Sequence, residues 1–180
     1  MFSRLAPAAL ILSTLIPSVA RAQEVKSADL AKQLAQLLDQ KKIDAIAAPD
    51  LQTPGGYLAA LYFPGTQLLV VSAKYSAPAL LTELLARKDY KGVYAELTSA
   101  SIADSKIFVM DAYANGLAVK PSGSNPPDSI EHGVKQTVFD GGWKKAKISE
   151  ADYMKAFADA DAAYARALQG LINHLKASGT

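Results

Sequence analysis

Few side chains in this sequence combine the type and spacing that chemistry requires. There are only two histidines and no cysteine, so thiolate nucleophiles, disulfides and thiolate metal sites are excluded. His132 and His174 are far apart in the chain, and two isolated imidazoles do not make a metal centre. A serine nucleophile would need a selecting motif, but neither a G-x-S-x-G elbow nor an S-x-x-K pair occurs. The phosphate loops G-x-x-x-x-G-K-[ST] and G-x-G-x-x-G are also absent. Asp159-x-Asp161 falls in a helical pattern, where positions two apart point to different faces, and a calcium loop needs more oxygens and a glycine. Both carboxylates read as solvated. Asp111 and Asp140 each end an extended run just before a glycine turn, which suits turn capping. No residue is assigned a catalytic role.

One cluster fits a binding site. Ser72, Lys74 and Ser76 alternate where an apolar run gives way to a helix start, so all three can face one side near a helix N-terminus that favours anions. Tyr75 lies between them. Tyr57, Tyr62, Phe63, Tyr94, Tyr113 and Trp143 add aromatic surface near strand ends. We take Ser72, Lys74, Ser76, Tyr75 and Tyr113 as candidate ligand-binding residues for a small anionic or aromatic ligand.

The elements that position these residues follow a leader. Residues 1–22 carry Arg4, an apolar run from Leu5 to Val19 and the A-x-A site Ala20-Arg21-Ala22, the layout of a cleaved signal peptide. The run is broken by Pro7 and Pro17 and is shorter than the roughly 20 residues of a membrane span. Cleavage would leave residues 23–180 as one domain, periplasmic or secreted, with no later span. It would also remove Arg4 and Arg21, taking Lys+Arg from 19 to 17 against 17 Asp+Glu. A charge-balanced chain lacks the basic face that nucleic-acid binding requires.

Ser27 as N-cap followed by Leu30, Leu34, Leu37 and Leu38 predicts a helix over 28–41. Ile43 to Ala48 is a short strand, and PDLQTPGG is a loop. Tyr57–Phe63 and Leu68–Ala73 are apolar on both alternating faces, so they read as strands covered on both sides. Pro64-Gly65 between them suits a type II turn with the positive φ on glycine. A helix starting at Ser76, a strand over 93–97 and another over 106–111 follow. Residues 120–133 contain three prolines and two glycines without apolar periodicity, and read as a surface loop or lid. A last strand over 136–140 precedes a long helix opened by Ser149, with Asp152 three residues on. Its apolar stripe runs through Tyr153, Phe157, Ala160, Tyr164, Leu168, Leu171, Ile172 and Leu175.

These elements sum to an α+β domain: a mostly antiparallel sheet or split barrel of about five strands, with two to three packed helices including the long C-terminal one. The order of elements over 57–111, with polar residues at a strand end before a helix, resembles the flavin-binding split barrels of the pyridoxamine-phosphate-oxidase-like group. That resemblance implies FMN as cofactor, Ser72 and Lys74 near its phosphate, and an oxidoreductase activity. Profilin-like and roadblock-like sheets share the same element order. Two functional expectations stand: a non-catalytic exported domain that binds a small ligand or an envelope partner, and a flavin-binding protein. The leader reading predicts that the exported protein begins at Gln23; the intact mass of the mature chain checks it, and a retained residue 1–22 segment would refute it.

Overall fold

A computed structural model describes residues 26–74, 105–119, 128–132, 135–138 and 147–179. Helix α1 spans Ser27–Lys41. Strands β1 (Ala45–Pro49), β2 (Tyr57–Phe63) and β3 (Leu68–Lys74) follow. Strand β4 (Ser105–Asp111) runs into a single 3-10 turn at Ala112–Ala114. Strands β5 (Ser129–His132) and β6 (Lys135–Val138) complete the sheet, and helix α2 spans Glu150–Ala177. The six strands form one open sheet in chain order, and every neighbouring pair is antiparallel. The α+β architecture expected from the sequence is the one observed.

Both faces of the sheet are buried, which explains the continuous apolar runs of β2 and β3. Leu58, Ala60, Leu69, Val71, Ala73, Ile107, Val109 and Ile130 point toward the two helices and share one core with Ala31, Leu34, Leu38, Phe157, Leu168 and Leu171. Leu61, Val70, Phe108 and Met110 point the other way and form a second buried cluster. All eight stripe residues of α2 are buried, so the 3.6-residue period alone located the helix face that meets the sheet. Gly170 lies over β2 so closely that a Cβ there would come within 2.5 Å of Leu58 Cδ1.

Local chemistry sets most element ends. Ser149 Oγ accepts from the Asp152 N–H at 3.1 Å, and its hydroxyl donates to Asp152 Oδ2 at 2.6 Å, as the capping pattern requires. Lys42 closes α1 in the left-handed region (φ 56°) with its N–H on the Asp39 and Leu38 carbonyls.

Four expectations change. The β2–β3 turn does not put a positive φ on Gly65; Thr66 N–H bonds the Phe63 carbonyl at 3.1 Å, and Gln67 takes the left-handed conformation (φ 54°) instead. Ser27 does not cap α1, because its hydroxyl is turned to accept from the Leu117 N–H at 3.2 Å. Capping comes from α2: Asp161 accepts the Lys26 and Ser27 N–H groups at 2.7 and 3.1 Å. Asp161 is therefore buried at 3% exposure rather than solvated, while Asp159 stays at the surface in an ion pair with Lys155. Finally, the segment read as a loop over 120–133 contains β5, whose Ile130 is in the main core; Pro-rich flanks masked a four-residue strand. His132 accordingly sits in a strand. The expected helix from Ser76, the strand over 93–97, Trp143, Asp140 and residues 1–25 lie outside the described residues.

Because Asp161 accepts both of these N-terminal amides of α1 from another helix, Asp161→Ala should lower the unfolding free energy by about 1–3 kcal/mol. Urea denaturation followed by circular dichroism measures this. An unchanged midpoint would show that water replaces the carboxylate there.

Candidate functional site

Strand pairing fixes where the candidate residues fall. Side chains alternate along β3, so Ser72 and Lys74 share the face turned away from α1 and α2, together with Val70. Ser72 lies opposite Ala59 on β2 and Phe108 on β4, and is 5% exposed. Lys74 lies at the strand end, half-buried, directly opposite Tyr57. The register shifts between Ala73 and Lys74 on the β4 side, which marks the place where regular pairing stops. Ser72 and Lys74 thus share a side as their spacing implied. Tyr75 and Ser76 lie outside the described residues.

Tyr113 is elsewhere. It follows Asp111, which pairs with Leu69 at the opposite end of β3, about 17 Å along the strand from Lys74 at 3.4 Å per residue. The fold separates Tyr113 from the Ser72–Lys74 group. Antiparallel pairing of β3 and β4 is the reason, since it places the start of one beside the end of the other.

Around Tyr113 the structure builds a second polar constellation that sequence reasoning did not anticipate. Asp111 and Asp128 are buried at 0% and 6% exposure. Asp111 Oδ1 accepts from Asn115 N–H at 3.1 Å, and its Oδ2 accepts from Gly116 N–H and from the Tyr164 hydroxyl, both at 2.9 Å. Asp128 accepts from Ala112 N–H at 3.0 Å through Oδ1 and from Ala118 N–H at 2.9 Å through Oδ2. The turn over 112–118 is therefore wound around two carboxylates. It is also strained: Tyr113 (φ 68°) and Ala114 (φ 46°) both lie in the left-handed region, where a side chain is disfavoured by roughly 1–2 kcal/mol per residue. Gly116 (φ 83°) is needed there twice over, because a Cβ would also come within 2.6 Å of Ala28 Cα. The Tyr153 hydroxyl closes the far end by donating to the Val119 carbonyl at 3.1 Å.

Electrostatics in this hub oppose the hydrogen bonds. Burial pushes Asp111 up from 3.8 to about 6, against the pull of Tyr164 and the Gly116 and Asn115 amides. Burial and then the charge of Asp111 push Asp128 up from 3.8 to about 7. Burial, followed by the same carboxylates, raises the Tyr164 hydroxyl well above its ordinary value. Neither carboxylate has a cationic partner among the described residues. Asp50 shows the contrast. Burial alone would raise it, but bonds from Thr53, Gln52 and Arg166 bring it below its ordinary value, with Arg166 Nη1 at 3.2 Å.

Asp111 thus serves as the turn cap its position suggested. Asp128 was hidden among prolines. Tyr164 carried a detectable signal: a tyrosine on a fully apolar helix stripe must find a partner for its hydroxyl. Every oxygen of Asp111 and Asp128 accepts a backbone or tyrosyl donor, so the pair holds the backbone of this turn in place. No protein-family model matches the chain, and neither a curated protein nor a solved structure shows significant similarity to it.

The hub makes stability depend on pH. Both folded carboxyls bind protons more tightly than in the unfolded chain, so their contribution is full below about pH 4 and is lost as pH rises through 6 to 7. Unfolding free energy should fall by about 2–4 kcal/mol between pH 5 and pH 8, with a matching drop in melting temperature. Asp128→Asn should be less stable than the parent at pH 5, having lost an acceptor, yet show a flatter pH profile. A parental profile that rises from pH 5 to 8 would mean that the N–H donors outweigh burial.

Proposed function

We propose that this protein is an exported, non-catalytic binding domain that takes a small anionic ligand with a flat aromatic portion at the Ser72–Lys74 end of the sheet. The observation that carries this reading is the cross-strand pair Tyr57–Lys74, one row outward from Ser72, on the sheet face turned away from α1 and α2. An ammonium beside a phenol ring suits an anion attached to a π-system, since the charge meets the lysine and the ring stacks. The leader sequence supports export. Asp111 and Asp128 anchor backbone amides of the turn after β4, at the opposite end of β3 from Lys74, so the proposed site is built without them. FMN has the required chemistry, and it is the cofactor that the split-barrel resemblance would place at this strand end.

Absorbance of the protein purified from its native compartment, followed by calorimetric titration with FMN and with inorganic phosphate, tests the site. Lys74→Ala should weaken FMN binding about tenfold, the loss of one charge-assisted contact. Equal affinity in parent and variant would remove Lys74 from the site. A yellow preparation would favour the flavin-binding reading, and a colourless one that ignores added FMN would reject it.

A further inference from the structure

The turn over 112–118 combines three features that are costly separately. Two side-chain-bearing residues, Tyr113 and Ala114, are held at positive φ. Four of its backbone N–H groups, those of Ala112, Asn115, Gly116 and Ala118, donate to the carboxylates of Asp111 and Asp128. Both carboxylates are buried and bond amides of this one short turn, so like charges are gathered inside the protein. A strained turn held by two like charges has an obvious point of control.

We propose that residues 112–118 form a clasp governed by protonation of the Asp111–Asp128 pair, shut in mild acid and loosened above neutrality. The groups facing the pair from each packed element agree with this direction. From α2 come the Tyr164 hydroxyl on Asp111, the Tyr153 hydroxyl on the Val119 carbonyl, and the Asp161 carboxylate, which is occupied with the Lys26 and Ser27 amides. From α1 comes the neutral Ser27 hydroxyl on the Leu117 amide. From β3 comes Leu69, opposite Asp111, and Ser129 follows Asp128 at the start of β5. None of these is a cation, and Asp161 adds a further negative charge to the same side of the sheet. A single proton held by the pair leaves one net charge for the N–H donors to stabilise. Its loss leaves two charges in a buried site with no counterion among the described residues, and opening the turn relieves both the repulsion and the backbone strain.

The clasp ties three elements, because Leu117 bonds Ser27 on α1 while Asp111 bonds Tyr164 on α2. Opening would release the α1 end of that tie and move Tyr113, the large exposed side chain at its crest (41% exposed). The clasp needs no ligand and is independent of the Lys74 end of the sheet.

Amide hydrogen exchange of the full-length protein at pH 5.5 and pH 8, corrected for the intrinsic rate, tests it without any variant. At pH 8 the amides of Ala112, Asn115, Gly116 and Ala118 should be less protected than those of Val71 and Val109 in the core strands. Their protection should also fall by about tenfold or more from pH 5.5 to 8, the factor that one displaced pKa unit supplies. Protection equal to that of the core strands at pH 8 would overturn the proposal, since the turn would then open only with the whole domain. Protection independent of pH would overturn it as well. Carbon-detected titration of the two carboxyls in the same protein gives a second reading: both must titrate above ordinary aspartate, and titration of both below pH 4.5 would refute the clasp.

Discussion

The seating of α2 across one face of the sheet is the contact on which the rest of this structure depends. Its apolar stripe covers β1 to β4 and α1 at once, and four of its polar residues reach out to fix segments that lie far away in the chain. Asp161 holds the first turn of α1, Arg166 holds the β1–β2 loop through Asp50, and Tyr164 and Tyr153 hold the turn after β4. Burial of the stripe supplies the non-directional free energy; the polar ties decide which arrangement of the remaining elements satisfies their backbone groups. Among the described residues no buried side-chain nitrogen or oxygen lacks a partner, as expected where unmade bonds cost more than made ones gain.

The two ends of β3 carry different chemistry as a result. At one end, buried Ser72 and half-buried Lys74 lie on the sheet face turned from the helices, with Lys74 paired across from Tyr57. At the other end, polar groups have been taken into the interior and used as scaffolding. The second arrangement is the more demanding, because buried carboxylates lose hydration that only several donors together can replace. Asp50 and Asp111 illustrate the range. A guanidinium and local donors hold the first below its ordinary value, whereas the second, with donors but no cation, is raised.

Much of the architecture was legible in the chain. Alternation without polar interruption marked β2 and β3 as strands covered on both faces, and the 3.6-residue stripe identified α2 with its buried residues and its Ser149 cap. These patterns could be read because each depends on neighbours within a few positions. Ser72 and Lys74 on one face were readable for the same reason, since strand periodicity alone decides it. β5 could not be found that way. Four residues flanked by prolines and glycines leave no period to detect, and Ile130 declares itself only by pairing with β4.

For α1, β2, β3, β4 and α2 the sequence by itself determined local conformation: the type of element, the face that is apolar, and that Asp111 ends a strand before a turn. Only the tertiary structure decided which polar groups meet. Asp161 caps a helix whose start lies 134 positions earlier, Tyr164 joins Asp111, and Tyr113 is carried away from Lys74 by the antiparallel pairing of β3 with β4. The physical reason is range. Backbone propensity and hydrophobic period act over a few residues, whereas the partner of a buried donor or acceptor is chosen by whatever the packed elements bring within about 3 Å of it.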